Sequence, residues 1–92
     1  MRIDKFIWCV RLYKTRTKAT KACKEGKIKC NDADVKPAQD CKKGDTIALR
    51  KRGVYFYYKV LSFPKRRVGA KLVEQFIVNI TPQENIDRYK TI

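Results

Sequence analysis

Apolar residues recur first at the spacing of a helix face. Ile3, Phe6, Ile7 and Val10 fall at i, i+3, i+4 and i+7, which predicts an amphipathic helix over residues 3–12. Asp4 lies in its first turn, where a carboxylate suits the helix dipole. Trp8 lies off the stripe and is expected to pack under a second element, because Trp is usually mostly buried. A second helix is predicted over 16–25, with Thr15 as N-cap and Gly26 as the left-handed stop. Its apolar stripe, Ala19, Ala22 and Cys23, is made of small residues that permit close approach to the first helix.

The pattern then shortens to strands and turns. "KIKC" (27–30) reads as a strand, "NDAD" (31–34) as a turn and "VKP" (35–37) as the return. "KGD" (43–45) is a turn before the strand "TIALR" (46–50), and "KRG" (51–53) turns into "VYFYYKVL" (54–61). In that last strand Val54, Phe56, Tyr58 and Val60 share one face, and Tyr55, Tyr57, Lys59 and Leu61 the other. A basic loop, "SFPKRRVG" (62–69), follows. Leu72, Val73, Phe76, Ile77 and Ile80 predict a third helix with a broad apolar face, under which Tyr55 and Tyr57 are expected to pack rather than stack on bases. "TPQE" (81–84) reads as a capping box, with Thr81 as N-cap and Pro82 at N1 of a short final helix. The class is α+β: two N-terminal helices packed on a small antiparallel sheet, with C-terminal helices. Residues 1–61 are expected to form the main domain and 62–92 a basic loop and helical extension packed on it.

Charge changes this picture from a fold to a binder. The chain of 92 residues has a formal charge of +14. Residues 1–29 hold ten basic and two acidic groups, and residues 50–71 hold eight basic groups and no acid. The segments between and after them are close to neutral. From Lys5 to Lys24 no acid occurs, and Lys18, Lys21 and Lys24 form an i, i+3, i+6 ridge on the second helix. Like charges at such spacing destabilise a helix by a few tenths of a kcal/mol each. A polyanion offsets that repulsion, and nucleic acid leads over an anionic membrane surface. The ridge lacks the bulky apolar residues that a membrane-surface helix needs. Lys14, the Thr15 hydroxyl, Arg16 and the backbone N–H groups of the first turn converge at the start of this helix, which favours a phosphate. Arg16 could at the same time pair with Asp4. The basic groups at 50–53 and 63–71 either extend this surface or are solvated loop charge.

Catalysis has no visible seat. The chain has no histidine, no Gly-rich phosphate loop and no cluster of acids. Cys9, Cys23, Cys30 and Cys41 form no C-x-x-C pair, so reduced, half-buried cysteines acting as small hydrophobes are favoured over a zinc site. No apolar run approaches the roughly 20 residues of a bilayer span. The N-terminus "MRIDKFIWCV" does not read as a secretory signal. The expectation is a cytoplasmic, monomeric, non-enzymatic binder with no cofactor, no metal and no small-molecule substrate.

The order "RIDKFIW…RLYKTRTKATKACKEGKIKCN…VKP…KKGDTIAL", over residues 2–50, resembles the S4 RNA-binding domain, or αL motif. "IDKFIWCVRLYKTRTKA" together with "LSFPKRRVGAKLVEQF" is similar to the heat-shock protein 15 family of small ribosome-associated proteins. The resemblance implies an RNA face made by the two helices and the following hairpin. It implies contacts from Arg2, Lys5, Arg11, Lys14, Thr15, Arg16, Lys18, Lys21, Lys29, Asn31 and Lys36. The charge pattern picks out most of these independently, and Asn31 comes from the resemblance alone. The implied partner is structured RNA, ribosomal RNA of the large subunit first and tRNA second, on free large subunits that still carry a stalled nascent chain on tRNA. Where the family has an Asn-Gly turn, this chain has Asn31-Asp32, which adopts the left-handed backbone less readily.

Overall fold

The structure, a computed structural model, describes residues 1–92. α1 spans Ile3–Cys9 and α2 spans Arg16–Lys24. α1 stops earlier than its apolar period suggests, because Arg11 turns left-handed (φ +65°). The Arg11 N–H donates to the Trp8 carbonyl and the Leu12 N–H to the Ile7 carbonyl, the paired bonds of a left-handed helix stop. Glycine would adopt that backbone freely, whereas arginine does so at a cost of about 1 kcal/mol. α2 begins as expected, with Thr15 Oγ1 accepting the Lys18 N–H at 3.1 Å. It ends in the same kind of stop at Gly26 (φ +74°), whose N–H donates to the Cys23 carbonyl while the Lys27 N–H donates to Ala22. Ala19, Ala22 and Cys23 are all buried, so the small-residue stripe does bring the two helices together.

Five strands form one antiparallel sheet: β1 Ile28–Cys30, β2 Ala33–Asp34, β3 Thr46–Lys51, β4 Val54–Val60 and β5 Ile77–Asn79, in the order β2-β1-β3-β4-β5. The first hairpin is tighter than predicted. Cys30 pairs with Ala33, so the turn is Asn31-Asp32 alone, with both residues left-handed (φ +50° and +65°). The return strand is therefore 33–34, not 35–37. Val35 is buried, and the chain beyond it runs to the start of α1, where the Ile3 N–H donates to the Gln39 carbonyl at 2.8 Å. The helices cover the sheet face that carries Ile28, Ile47, Leu49 and Val60, and Ile3, Phe6 and Ile7 of α1, with Val10 just beyond it, complete the core.

The third helix does not form. Residues 70–75 make a 3₁₀ helix, Ala70–Gln75, and the chain then extends into β5. The spacing of Leu72, Val73, Phe76, Ile77 and Ile80 is helical, but two other factors prevail. "IVNIT" (77–81) is rich in β-branched residues. β4 would otherwise present an open edge of unpaired backbone groups, and β5 pairs with Tyr58, Lys59 and Val60 to close it. Leu72 and Ile80 are exposed as a result. Tyr55 and Tyr57 have no helix of this kind above them. They lie half-buried side by side, with ring centroids 6.3 Å apart.

α3 spans Gln83–Lys90, as the final helix should, but Thr81 does not cap it. Its hydroxyl instead accepts the Tyr57 N–H at 2.9 Å and lies 3.3 Å from the Tyr57 carbonyl, continuing the β4–β5 pairing through a side chain. Tyr89 of α3 packs edge-to-face on Phe56, at 5.0 Å. Trp8 is covered by the loop at 62–69: Arg67 lies 5.6 Å over its ring and donates to the carbonyls of Trp8 and Tyr13 at 3.2 and 3.3 Å. Part of the second basic block thus pins the loop to the end of α1. Replacing Thr81→Val removes the hydroxyl's bonds to Tyr57, and urea unfolding should show a loss of about 1–2 kcal/mol. If Thr81 acted only as a loop residue, the variant would unfold with wild-type stability.

Candidate nucleic-acid interface

The helix pair is organised around one buried carboxylate. Asp4 in α1 is 1% exposed. Arg2 donates to it from Nε and Nη2, both at 3.1 Å, and the Thr20 hydroxyl of α2 donates to Oδ2 at 2.9 Å. Arg16 Nη2 stands 3.8 Å from Oδ1. Burial works to raise the Asp4 carboxyl. The hydrogen bonds from Arg2 and Thr20, with the Arg2 charge and the Lys5 backbone N–H, outweigh it and hold the group below the usual carboxylate range. Arg16 therefore does pair with Asp4, and its side chain remains 43% exposed, with Arg2 at 47%. Both guanidiniums open onto a groove of about 560 Å³ whose other lining residues are Thr17, Thr20, Lys21 and Lys24. One carboxylate faces four cations there. The groove keeps an excess of positive charge even with Asp4 ionised.

Along α2, Arg16, Lys18, Lys21 and Lys24 are all exposed, and none of the three lysines has a carboxylate within salt-bridge distance. Lys14 is exposed in the connection before Thr15, whose hydroxyl is engaged in capping. Lys5 is half-buried on α1. Arg2, Lys14, Thr15, Arg16, Lys18 and Lys21 thus gather on α2 and the start of α1, and Lys36 is exposed on the segment that packs there.

Three predicted contact residues are placed otherwise. Arg11 Nη1 reaches the Val68 carbonyl at 3.4 Å, toward the basic loop. Lys29 alternates with the buried Ile28 and Cys30, so it stands on the sheet face away from the helices, its Nζ 5.9 Å from the Tyr55 ring centroid. Asn31 is held within the fold at both ends of its amide: Nδ2 donates to Asp45 Oδ1 at 3.0 Å, and Oδ1 accepts the Thr46 N–H at 2.9 Å. Its side chain shapes the β1–β2 turn. Asp45 also accepts the Lys42 N–H at 2.8 Å and the Cys30 thiol at 3.4 Å. Although burial opposes it, these bonds hold the Asp45 carboxyl below its ordinary range. Thr20, which ties α2 to Asp4, gave no signal in the sequence beyond its place on a polar flank.

All four cysteines are free and buried. Burial raises each thiol, pushing Cys23 and Cys41 up to about 11 and Cys30, with help from its bond to Asp45, up to about 12. Cys9 moves in the same direction.

A helix pair clamped on an antiparallel sheet, with one helix left as an acid-free cationic ridge, defines a polyanion-binding α+β module. The chain belongs to the S4-domain family: the S4 domain profile matches residues 1–47. It is 39% identical over 64 residues to the RQC P-site tRNA stabilizing factor of Helicobacter pylori strain J99, a match covering 70% of this chain and 76% of that one. It is 30% identical over 70 residues to the heat shock protein 15 homolog of Haemophilus influenzae, covering 76% of this chain and 53% of that one. The trimeric structure of Vibrio cholerae heat shock protein 15 superposes with a TM-score of 0.83 at 26% identity, over 99% of this chain and 90% of that one. The solution structure of the hypothetical protein HP1423 gives 0.76 at 35% identity, over 89% and 99%.

Two tests follow from the buried groups. Because the folded-state value of Asp4 is depressed, its contribution is present above about pH 4 and is lost as pH falls through the lower folded value. Asp4→Asn should lower stability at pH 7 by about 2 kcal/mol and flatten the loss of stability as pH falls below about 4. An acid profile parallel to wild type would show that the carboxylate is not the clamp. The thiols should resist a thiol-specific disulfide reagent at pH 8 in native protein and react together only in denaturant. Fast labelling of any one in the native state would contradict its burial.

Proposed function

We propose that this protein binds structured RNA of the large ribosomal subunit, without catalysis, through α2 and the start of α1. It acts in the cytoplasm on free large subunits that still carry a nascent chain on tRNA. The carrying observation is the exposed row Arg16, Lys18, Lys21 and Lys24, whose neighbouring acids are already paired, Asp4 with Arg2 and Glu25 with Lys27. Backbone phosphates spaced along a folded RNA are the ligand that relieves such a row, and they are read by charge and shape rather than by base sequence. The resemblance to heat-shock protein 15 supports the ribosome as the setting. The name of the Helicobacter pylori relative refers to P-site tRNA, and this favours a tRNA contact beside the ribosomal one. A single copy carries the whole face, so the monomer is the proposed binding unit.

A membrane surface fits less well. No helix is long and apolar enough to cross a membrane. The exposed positions of α2 are Lys, Arg and Thr, without the bulky apolar residues that anchor an interfacial helix.

Co-sedimentation with large ribosomal subunits across a salt series tests the reading. If about six phosphates are engaged, log K should fall with log salt at a slope of about −4 to −5. Lys18→Glu, at an exposed position, should weaken binding about tenfold with an unchanged melting temperature. A slope near zero, or flotation with anionic vesicles in place of sedimentation with subunits, would reject it.

A further inference from the structure

The second basic block reaches α2 at one place, the turn between β3 and β4. Lys51 pairs with Val54, so the turn is Arg52-Gly53, and both residues are left-handed (φ +51° and +77°). Two-residue turns of this kind prefer Asn, Asp or Gly at the first position. An arginine held there is a backbone outlier, and such outliers persist where the surroundings hold the residue in place.

The turn and α2 form the walls of a cleft of about 610 Å³. Lys18, Lys21 and Lys27 line one side, and Arg50, Lys51 and Arg52 the other. The cleft's acid, Glu25, is already paired with Lys27 at 3.4 Å. Arg50, Lys51 and Arg52 have no carboxylate within 4.0 Å. The Arg52 guanidinium rests 5.7 Å over the Tyr89 ring, which fixes its position at the cleft. Six cations face one another across open solvent with a single internal counter-charge.

Lys21 also lines the groove on the other flank of α2, with Arg2, Arg16 and Lys24. α2 is therefore a ridge with a cationic channel on each side. A helix with its side chains is about 10–12 Å across, so one phosphate strand cannot lie in both channels at the same point. Two backbones can. A-form RNA presents two backbones beside a wide, shallow minor groove.

We propose that the cleft between α2 and the β3–β4 turn is a second phosphate track, and that α2 lies between the two backbones of a double-helical RNA element. Lys51 and Arg52 hold one strand, and Arg2 and Arg16 hold the other. This rests on the RNA-binding reading and specifies the form of RNA it takes.

The test is fluorescence anisotropy with a tetraloop-capped RNA stem and with an unstructured single strand of equal length. The variants are wild type, the double variant Lys51→Gln/Arg52→Asn, and Arg16→Gln on the opposite flank. Asn-Gly suits the turn better than Arg-Gly, so the double variant keeps the hairpin, which an unchanged or raised melting temperature verifies. Its affinity for the stem should fall about tenfold and its salt slope should become shallower by about two, while its weak single-strand binding changes little. Wild-type affinity and slope for the stem in the double variant would overturn the proposal, and so would an equal loss on both RNAs. If Arg16→Gln weakens stem binding and the double variant does not, the second track alone falls. If wild type binds neither RNA, the RNA-binding reading falls with it.

Discussion

The Asp4 carboxylate is the constraint on which the rest of the molecule depends. It is a charge almost wholly removed from water, so it must be paired and hydrogen-bonded to be tolerated. Its partners come from three places: Arg2 before α1, Thr20 in the middle of α2 and Arg16 at the start of α2. Satisfying one acid therefore fixes the rotation of each helix about its own axis. With α2 so rotated, Ala19, Ala22 and Cys23 turn to the core, and the lysines must turn outward. The core stripe and the cationic ridge are two faces of the same decision. The proposed RNA face is thus set before any ligand arrives, and binding there need not order it, which lowers the entropy that association gives up.

Much of this was legible in the sequence because local rules and tertiary packing agree. The α1 stripe, the Thr15 cap, the Gly26 stop and the alternation of β4 each obey a short-range pattern, and each appears in the structure. The helix read over 72–80 failed because its signal was periodicity alone. Phe76 and Ile77 satisfy a helical period, but Ile77 to Asn79 instead complete the edge of β4, a requirement set by a strand far away in the chain. Thr81 failed for a related reason: its hydroxyl had a backbone N–H of β4 to serve. In the candidate site, one-signed charge was visible as a run, but the side of the sheet was not. Lys29 is separated from the ridge by one step of strand alternation, and Arg11 by a left-handed stop at a residue that is not glycine. The pairing of the turn at 52–53 with α2 joins residues some thirty positions apart, which no window of the sequence contains.

Family membership and the physical reading meet at the helix pair and diverge outside it. The S4 domain match ends at residue 47, within β3. Beyond it the chain adds β4, β5 and α3, closes one sheet edge and sets Tyr89 beneath Arg52. The loop at 62–69 adds no comparable ridge. Arg67 is committed to the carbonyls of Trp8 and Tyr13, so part of that basic stretch serves the fold.

The exclusion of histidine and the burial of every thiol have a consequence for the conditions under which the surface works. The ridge is built of lysines, arginines and threonines, and the chain holds no histidine, the side chain that ordinarily switches charge near neutral pH. Oxidants attack thiolates, and here the thiols are both shielded and held protonated. The contact surface therefore carries neither a histidine nor an accessible thiol through which pH near neutrality or an oxidant could switch it. Its grip on a polyanion is left to respond to ionic strength.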